Sequence, residues 1–420
     1  MPDTQAIPSA NDVQEIRGRF PALRGETVFL ENAGGSQVPG VVAERMREYM
    51  LSTYVQLGAG YELSRRCDAV VDDAHDFINQ FMNGTETGRV ILGPSCTQLC
   101  SMLAGCYADV LEPGDEVIVD QAGHEANVGP WMKLTQRGVK VRMWPFDRES
   151  MSSRLEDLKG LLTERTRLVA FVHVSNLLGG ISDIKAITKL VHDAGARAVV
   201  DGVAYAPHRP IDVAAWDVDW YVFSTYKTYG PHMAAMYGRL DAIDELTGPN
   251  HFFIPRGEVP YKFELGGACH EGCAGLLALG DYFGFLASLG GNGNDAAQPI
   301  DRAGLLRAFD VMAACERPVQ RRLIDYLHGK SKVRIIGPES ADDAVRVGTV
   351  SFVHESRSSA EIAAALHRKQ FAVRNGHMYA YRICQPLKLD PEDGVLRVSA
   401  VHYNTTDEID RLIDVLETVL

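Results

Sequence analysis

Seven short apolar runs punctuate residues 89–240: "RVILGPS", "DEVIVDQ", "KVRMWPF", "RLVAFVHVS", "ARAVVDG", "DWYVFST" and "AAMYGRL". Each is strand-length, and helical patterns separate several of them. Between the fourth and fifth lies "DIKAITKLVHDAGA", where Ile184, Ile187, Leu190 and Val191 share one helical face. This alternation predicts a mainly parallel sheet covered by helices. Ligands of such sheets bind beyond the carboxyl ends of the strands, so the residues just after each run matter most.

Around residue 290 the texture changes. A glycine- and asparagine-rich stretch, "LGGNGNDAAQ", leads into a helical segment, "RAGLLRAFDVMAACERPVQRRLIDYLHG". Shorter strands follow ("KVRIIG", "RVGTVSFV", "VLRVSAV"), and the chain ends in "TTDEIDRLIDVLETVL". There Thr405 and Glu408 fit a capping box, and Ile409, Leu412, Ile413 and Leu416 form an apolar stripe. The organisation expected is an N-terminal segment (1–25), a large domain (26–290) and a smaller α+β domain (291–420).

Composition narrows the function. A formal charge of −13 argues against nucleic acid or an anionic membrane as the main partner. No consecutive run approaches the ~18 apolar residues of a membrane span, and "MPDTQAIPSANDVQEIRGRF" lacks a basic start followed by an apolar core. Cys96 and Cys100, and Cys269 and Cys273, are spaced by four, yet no matching His or Cys pair completes a zinc site. The eight cysteines read as reduced thiols of a cytoplasmic protein without a metal.

The strand ends carry a specific set of groups. Asp201 ends "ARAVVDG" and Lys227 follows "DWYVFST" in "FSTYKTYGPH". Taken singly, each fits a turn or a surface. Together, an acid for a ring nitrogen and an amine able to form a Schiff base are what pyridoxal phosphate requires. "GPSCTQLC" follows a strand and opens a helix, so Ser95, Cys96 and Thr97 fall at an anion-favouring N-terminus, with the Ser224 hydroxyl as a further donor. His124, in "GHEANVGPW", is a ring able to stack on a cofactor, or else a loop histidine. Asn176, in "HVSNLLGG", suits a ring hydroxyl or a carboxylate. Arg397, in "GVLRVSAVHYNT", is either half of a structural ion pair or a fork for a substrate carboxylate.

In order along the chain, "GHEAN", "HVSNLLGG", "VVDGVAYAPHRPIDV", "FSTYKTYGP" and "LRVSAVHYNTTDEIDRL" resemble the class V aminotransferase family, within it the cysteine desulfurase branch and its relatives. "IRGRFPALRGETVFLENAGGSQVP" resembles that branch's opening, so the likeness runs from about residue 15 to the end. It implies a fold-type I pyridoxal-phosphate enzyme: a large domain with a mainly parallel seven-stranded sheet and a smaller C-terminal domain. It implies Lys227 as the Schiff-base lysine, Asp201 as the pyridinium partner and His124 stacked over the ring. Ser95, Cys96, Thr97, Ser224 and Tyr226 would hold the phosphate. Asn32, Asn176, Arg397 and Tyr379 would face a small amino-acid substrate. It further implies a homodimer in which the second subunit's "KFELGGACHEG" closes the phosphate site, with Gly267 where relatives carry a threonine.

Two other departures bear on the reaction. Where desulfurases place a glutamine three residues after the aspartate, this chain has Ala204, which leaves Tyr205 or His208 to shape the site. Where they place a nucleophilic cysteine, "VRNGHMYAYRICQPLKL" offers Met378 and Tyr379; Cys384 comes later, in a helical segment. The readings left open are desulfurase-like elimination or transamination first, then epimerisation with His124 or Tyr379 as second acid–base group. A true desulfurase using Cys384 and a catalytically silent cofactor-binding protein are further alternatives.

Overall fold

The computed structural model describes residues 8–289 and 299–420, so the glycine-rich stretch around the 290/291 boundary lies outside the described residues. A two-residue strand, β1 (Val28–Phe29), comes first. The seven apolar runs then form β2 (Gly88–Gly93), β3 (Glu116–Asp120), β4 (Lys140–Trp144), β5 (Thr166–Val172), β6 (Arg197–Asp201), β7 (Trp220–Ser224) and β8 (Ala234–Arg239). They make one sheet in the order β2-β8-β7-β6-β5-β3-β4. Only β8 runs against its neighbours, because the nine residues after β7 form a tight turn instead of a helical crossover. β3 and β7 are buried at every position, as expected of strands covered on both faces.

Helix signals read from the sequence are realised by side-chain caps. Asp183 accepts from the Ala186 N–H to start Ile184–Asp193, and Ser95 accepts from the Gln98 N–H to start Cys96–Tyr107. The Thr405–Glu408 capping box opens Thr406–Leu416. The helix His270–Leu289 is apolar and long enough to cross a membrane by composition, although its glycines and lone charges interrupt any consecutive run. It packs against Gly40–Ser52, Glu62–Phe81 and Arg302–His328. Its glycines permit close approach: a Cβ on Gly275 would stand 2.9 Å from Met46.

The C-terminal part builds β9 (Val333–Ile336), β10 (Thr349–His354), β11 (Phe371–Ala372), β12 (Arg374–Gly376) and β13 (Val395–Ser399). Four of these form an antiparallel sheet in the order β12-β13-β10-β9, while β11 pairs in parallel with β1. The N-terminal helix Ala10–Gly18 is tied to this region, since Arg17 donates to the Tyr403 carbonyl and pairs with Glu408 at 2.9 Å. The two parts also meet at the turn after β5. Gly179 has φ +74°, and a Cβ there would stand 2.3 Å from the Thr349 carbonyl oxygen. Ser351 donates to the Leu177 carbonyl at 2.6 Å in the same seam.

Candidate active site

Four adjacent parallel strands deliver the central residues. The loop after β3 carries His124, the loop after β5 carries Asn176, β6 ends in Asp201, and the turn after β7 carries Lys227. All four line one pocket, joined by Ser95, Cys96 and Thr97 from beyond β2 and by Ser224 and Tyr226. The sheet order alone brings together residues more than 130 positions apart, at the place the parallel topology dictates.

Burial sets the chemistry of each group. Asp201 is 3% exposed; burial pushes its carboxyl up to about 6, against the pull of the Val203 N–H and of Lys227. Burial and Arg397 draw the Lys227 amine down to about 8, opposed by Asp201. Burial, with Lys227 and Arg397, draws His124 down to about 4. Its Nδ1 accepts from the Ala126 N–H at 3.0 Å, so the ring is neutral near pH 7 with its proton on Nε2.

The phosphate end is a helix start. The Ser95 hydroxyl is the N-cap of Cys96–Tyr107 and is occupied by the Gln98 N–H. The backbone N–H groups of Cys96 and Thr97, in the helix's first turn, are the donors such an end offers to an anion. The Cys96 thiol lies 3.9 Å from Cys100. That contact and burial raise its proton affinity well above the ordinary value, which makes it a filler and not a nucleophile.

The carboxylate end is Arg397, 2% exposed on β13. It donates to the Asn176 carbonyl at 3.1 Å, while its Nε and the Asn176 Oδ1 are buried without a protein partner. Asn176 lines the pocket and Arg397 is bonded to it, and unpartnered buried polar atoms in such a place signal a ligand. An acid, an amine, a neutral ring, an anion-binding helix start and two unpartnered polar atoms fit pyridoxal phosphate and an amino acid.

The loop that faces this site is held from several directions. Asn176 Nδ2 donates to the Met378 carbonyl at 2.8 Å, and the Glu125 N–H donates to the Tyr379 carbonyl at 3.0 Å. Arg382 grips Glu125 with two bonds of 2.9 and 3.0 Å. Met378 and Tyr379 are both left-handed (φ +48° and +63°), which side chains other than glycine's disfavour. The Tyr379 ring, 59% exposed, stands 5.2 Å from the His124 ring.

Residues 28–290 and 306–412 match the family profile described as Aminotransferase class-V. The chain belongs to the class V aminotransferase family. It is 39% identical to the aminotransferase-like protein FGM3 of Gibberella zeae, over 98% of this chain and 99% of that protein. It is 31% identical to the cysteine desulfurase-like protein ustD of Aspergillus flavus, over 97% and 91%. Among solved structures it is similar to the cysteine desulfurase CsdA of Escherichia coli (TM-score 0.80, 26% identity, 97% and 98% covered). As a member of this family the protein is a pyridoxal-phosphate-dependent enzyme of the desulfurase-like type.

Several expectations are corrected by the structure. Asn32 does not reach the pocket: its amide donates to the Phe29 and Ser399 carbonyls and to Asn404, and its oxygen accepts from Tyr403. Tyr205 stacks on His173 at 3.6 Å, and His208 pairs with Glu316 at 3.0 Å, so neither replaces the absent glutamine. The wall there is instead Val203 and Ala204. Cys384, 1% exposed, starts the short helix Cys384–Leu387, and burial raises its thiol. Gly267, expected at the second subunit's phosphate site, lies within its own chain in a loop beside His75 and Glu264, a placement compatible with that role. Sequence reasoning missed Glu31 and Arg374. Glu31 sits beside Asn32 in "LENAGG", and its charge ahead of a glycine pair was the available signal.

Proposed function

We propose that the enzyme catalyses elimination from Cα and Cβ of a small amino acid, releasing a β-substituent such as sulfide without a protein persulfide. The observation that carries this reading is the loop facing the pocket. Met378 and Tyr379 stand where a nucleophilic thiol is expected, and Cys384 is sealed in the core. Pyridoxal phosphate, when bound, supplies an electron sink for the pair left at Cα.

The chain's own residues do the rest. Arg397 holds the substrate carboxylate, and its buried Nε gains a partner. The Lys227 amine, drawn down to about 8, takes the Cα proton near neutral pH. The buried Asp201 carboxylate favours a positive ring nitrogen opposite it. The neutral His124 ring provides a flat wall, and the Tyr379 hydroxyl delivers a proton to the departing group. Loss of the Cα proton and the β-substituent leaves an enamine, which water converts to pyruvate and ammonia. We further propose a cytoplasmic homodimer whose second subunit brings the loop around Gly267 to the phosphate end. Its eight free thiols support a reducing compartment.

Product analysis with cysteine and other β-substituted alanines tests the reaction. Pyruvate and the released substituent in equal amounts, unchanged in Cys384→Ser, are expected. Alanine with a protein-bound persulfide, lost in Cys384→Ser, would overturn the reading. A keto acid that keeps its β-substituent would turn it to transamination.

A further inference from the structure

A second arginine stands next to the carboxylate fork. Arg374 on β12 is the direct cross-strand partner of Arg397 on β13. Like charges directly opposite one another repel, and here a carboxylate lies between them. Glu31 Oε1 is 3.3 Å from Arg374 Nη1 and 3.9 Å from Arg397 Nη2. The chain builds this placement. Glu31 bridges to Ser399 at the end of β13, and its carbonyl accepts from the Gly34 N–H at 2.9 Å. Its side chain folds over that turn, into space where a Cβ on Gly34 would stand 2.5 Å from Oε1.

The two arginines are therefore unequal. Arg374 is engaged by Glu31, with its side chain half in solvent, whereas Arg397 is buried and keeps an unpartnered Nε. Exposed pairs of this kind add little to stability, so the consequence lies in recognition. Without Glu31, two adjacent guanidiniums would make a cradle for two carboxylates. With it, the second fork is neutralised and a carboxylate stands beside the first.

We propose that Glu31 is a specificity-determining residue that restricts the site to amino acids with one carboxylate, excluding acidic side chains by occupying Arg374 and repelling a second anion. This rests on the reading that Arg397 binds the substrate carboxylate, and it narrows the substrate class to amino acids with a neutral or cationic side chain.

Calorimetric titration of the holoenzyme with propionate and succinate separates the two readings. In Glu31→Gln, nearly isosteric and at a partly exposed position, succinate should bind about tenfold tighter than to wild type, with propionate little changed. The selectivity of kcat/KM between aspartate-like and neutral amino acids should move the same way. Adding Arg374→Gln should erase the gain. An unchanged succinate-to-propionate ratio in Glu31→Gln, or a gain that survives the double variant, would overturn the proposal. Arg397→Lys, which keeps charge but loses the fork, should weaken both acids. Undiminished propionate binding there would instead remove the underlying assignment of Arg397.

Discussion

The floor of the site and the loop above it are built by opposite means. Asp201, Lys227, Asn176 and His124 stand at or just after the ends of neighbouring parallel strands, in places set by sheet register. The segment from His377 to Arg382 is held by side chains gripping backbone, and by two residues in left-handed conformations. A strand end is specified by a whole sheet, so its position survives local change. A loop pinned by four or five contacts can be rebuilt by few substitutions, which makes it the place where relatives on one floor diverge in chemistry.

The comparison predicts that floor variants lose most of the chemistry the cofactor supplies, whereas loop variants keep that chemistry and make smaller changes in rate or product. Lys227→Ala should lower turnover by about a thousandfold or more and remove the covalent cofactor's visible absorption. A Lys227→Ala enzyme with near-normal rate would sink the catalytic reading. Asp201→Asn should retain cofactor yet slow proton removal by about a hundredfold, read as a larger primary isotope effect on turnover with substrate deuterated at Cα. Tyr379→Phe should cost about tenfold in kcat with the cofactor spectrum unchanged. An altered spectrum would place Tyr379 with the floor.

Smaller effects fall on stability. The His124 pKa is depressed, so between about 6.5 and about 4 the unfolded chain binds a proton that the folded one refuses. Stability is therefore lost as pH falls through that window and regained as it rises. His124→Asn should flatten the dependence of the melting temperature between pH 7 and 5, with the buried His173 and His402 still acting in the same sense. Glu125→Gln, which breaks a half-exposed ion pair, should cost no more than ~1 kcal/mol in denaturant melts while raising the protease sensitivity of the segment 377–382.

The same contrast explains what the sequence disclosed. Strands, capping residues and the Asp201–Lys227 pair were legible because period, turn chemistry and the parallel-sheet rule all point one way. Thr405 with Glu408 caps its helix as the pattern predicts. Asn32, Tyr205 and His208 were misplaced because proximity along the chain says nothing about which side of a turn a polar group faces. Each finds its partner in a segment remote in sequence: Asn404, His173 and Glu316. Glu31 stayed hidden for the same reason, since its two arginines lie more than 340 residues away.

Asn176 joins the two ends of the reacting molecule's berth. Its carbonyl is held by Arg397 and its amide holds Met378, so one large-domain residue is gripped by two separate parts of the C-terminal region. The carboxylate fork and the loop beside the side-chain end therefore share one positioning residue. Engineering for a new substrate would then fail if positions 397 and 378–379 were varied in separate libraries; they form a single design unit with Asn176 as its pivot.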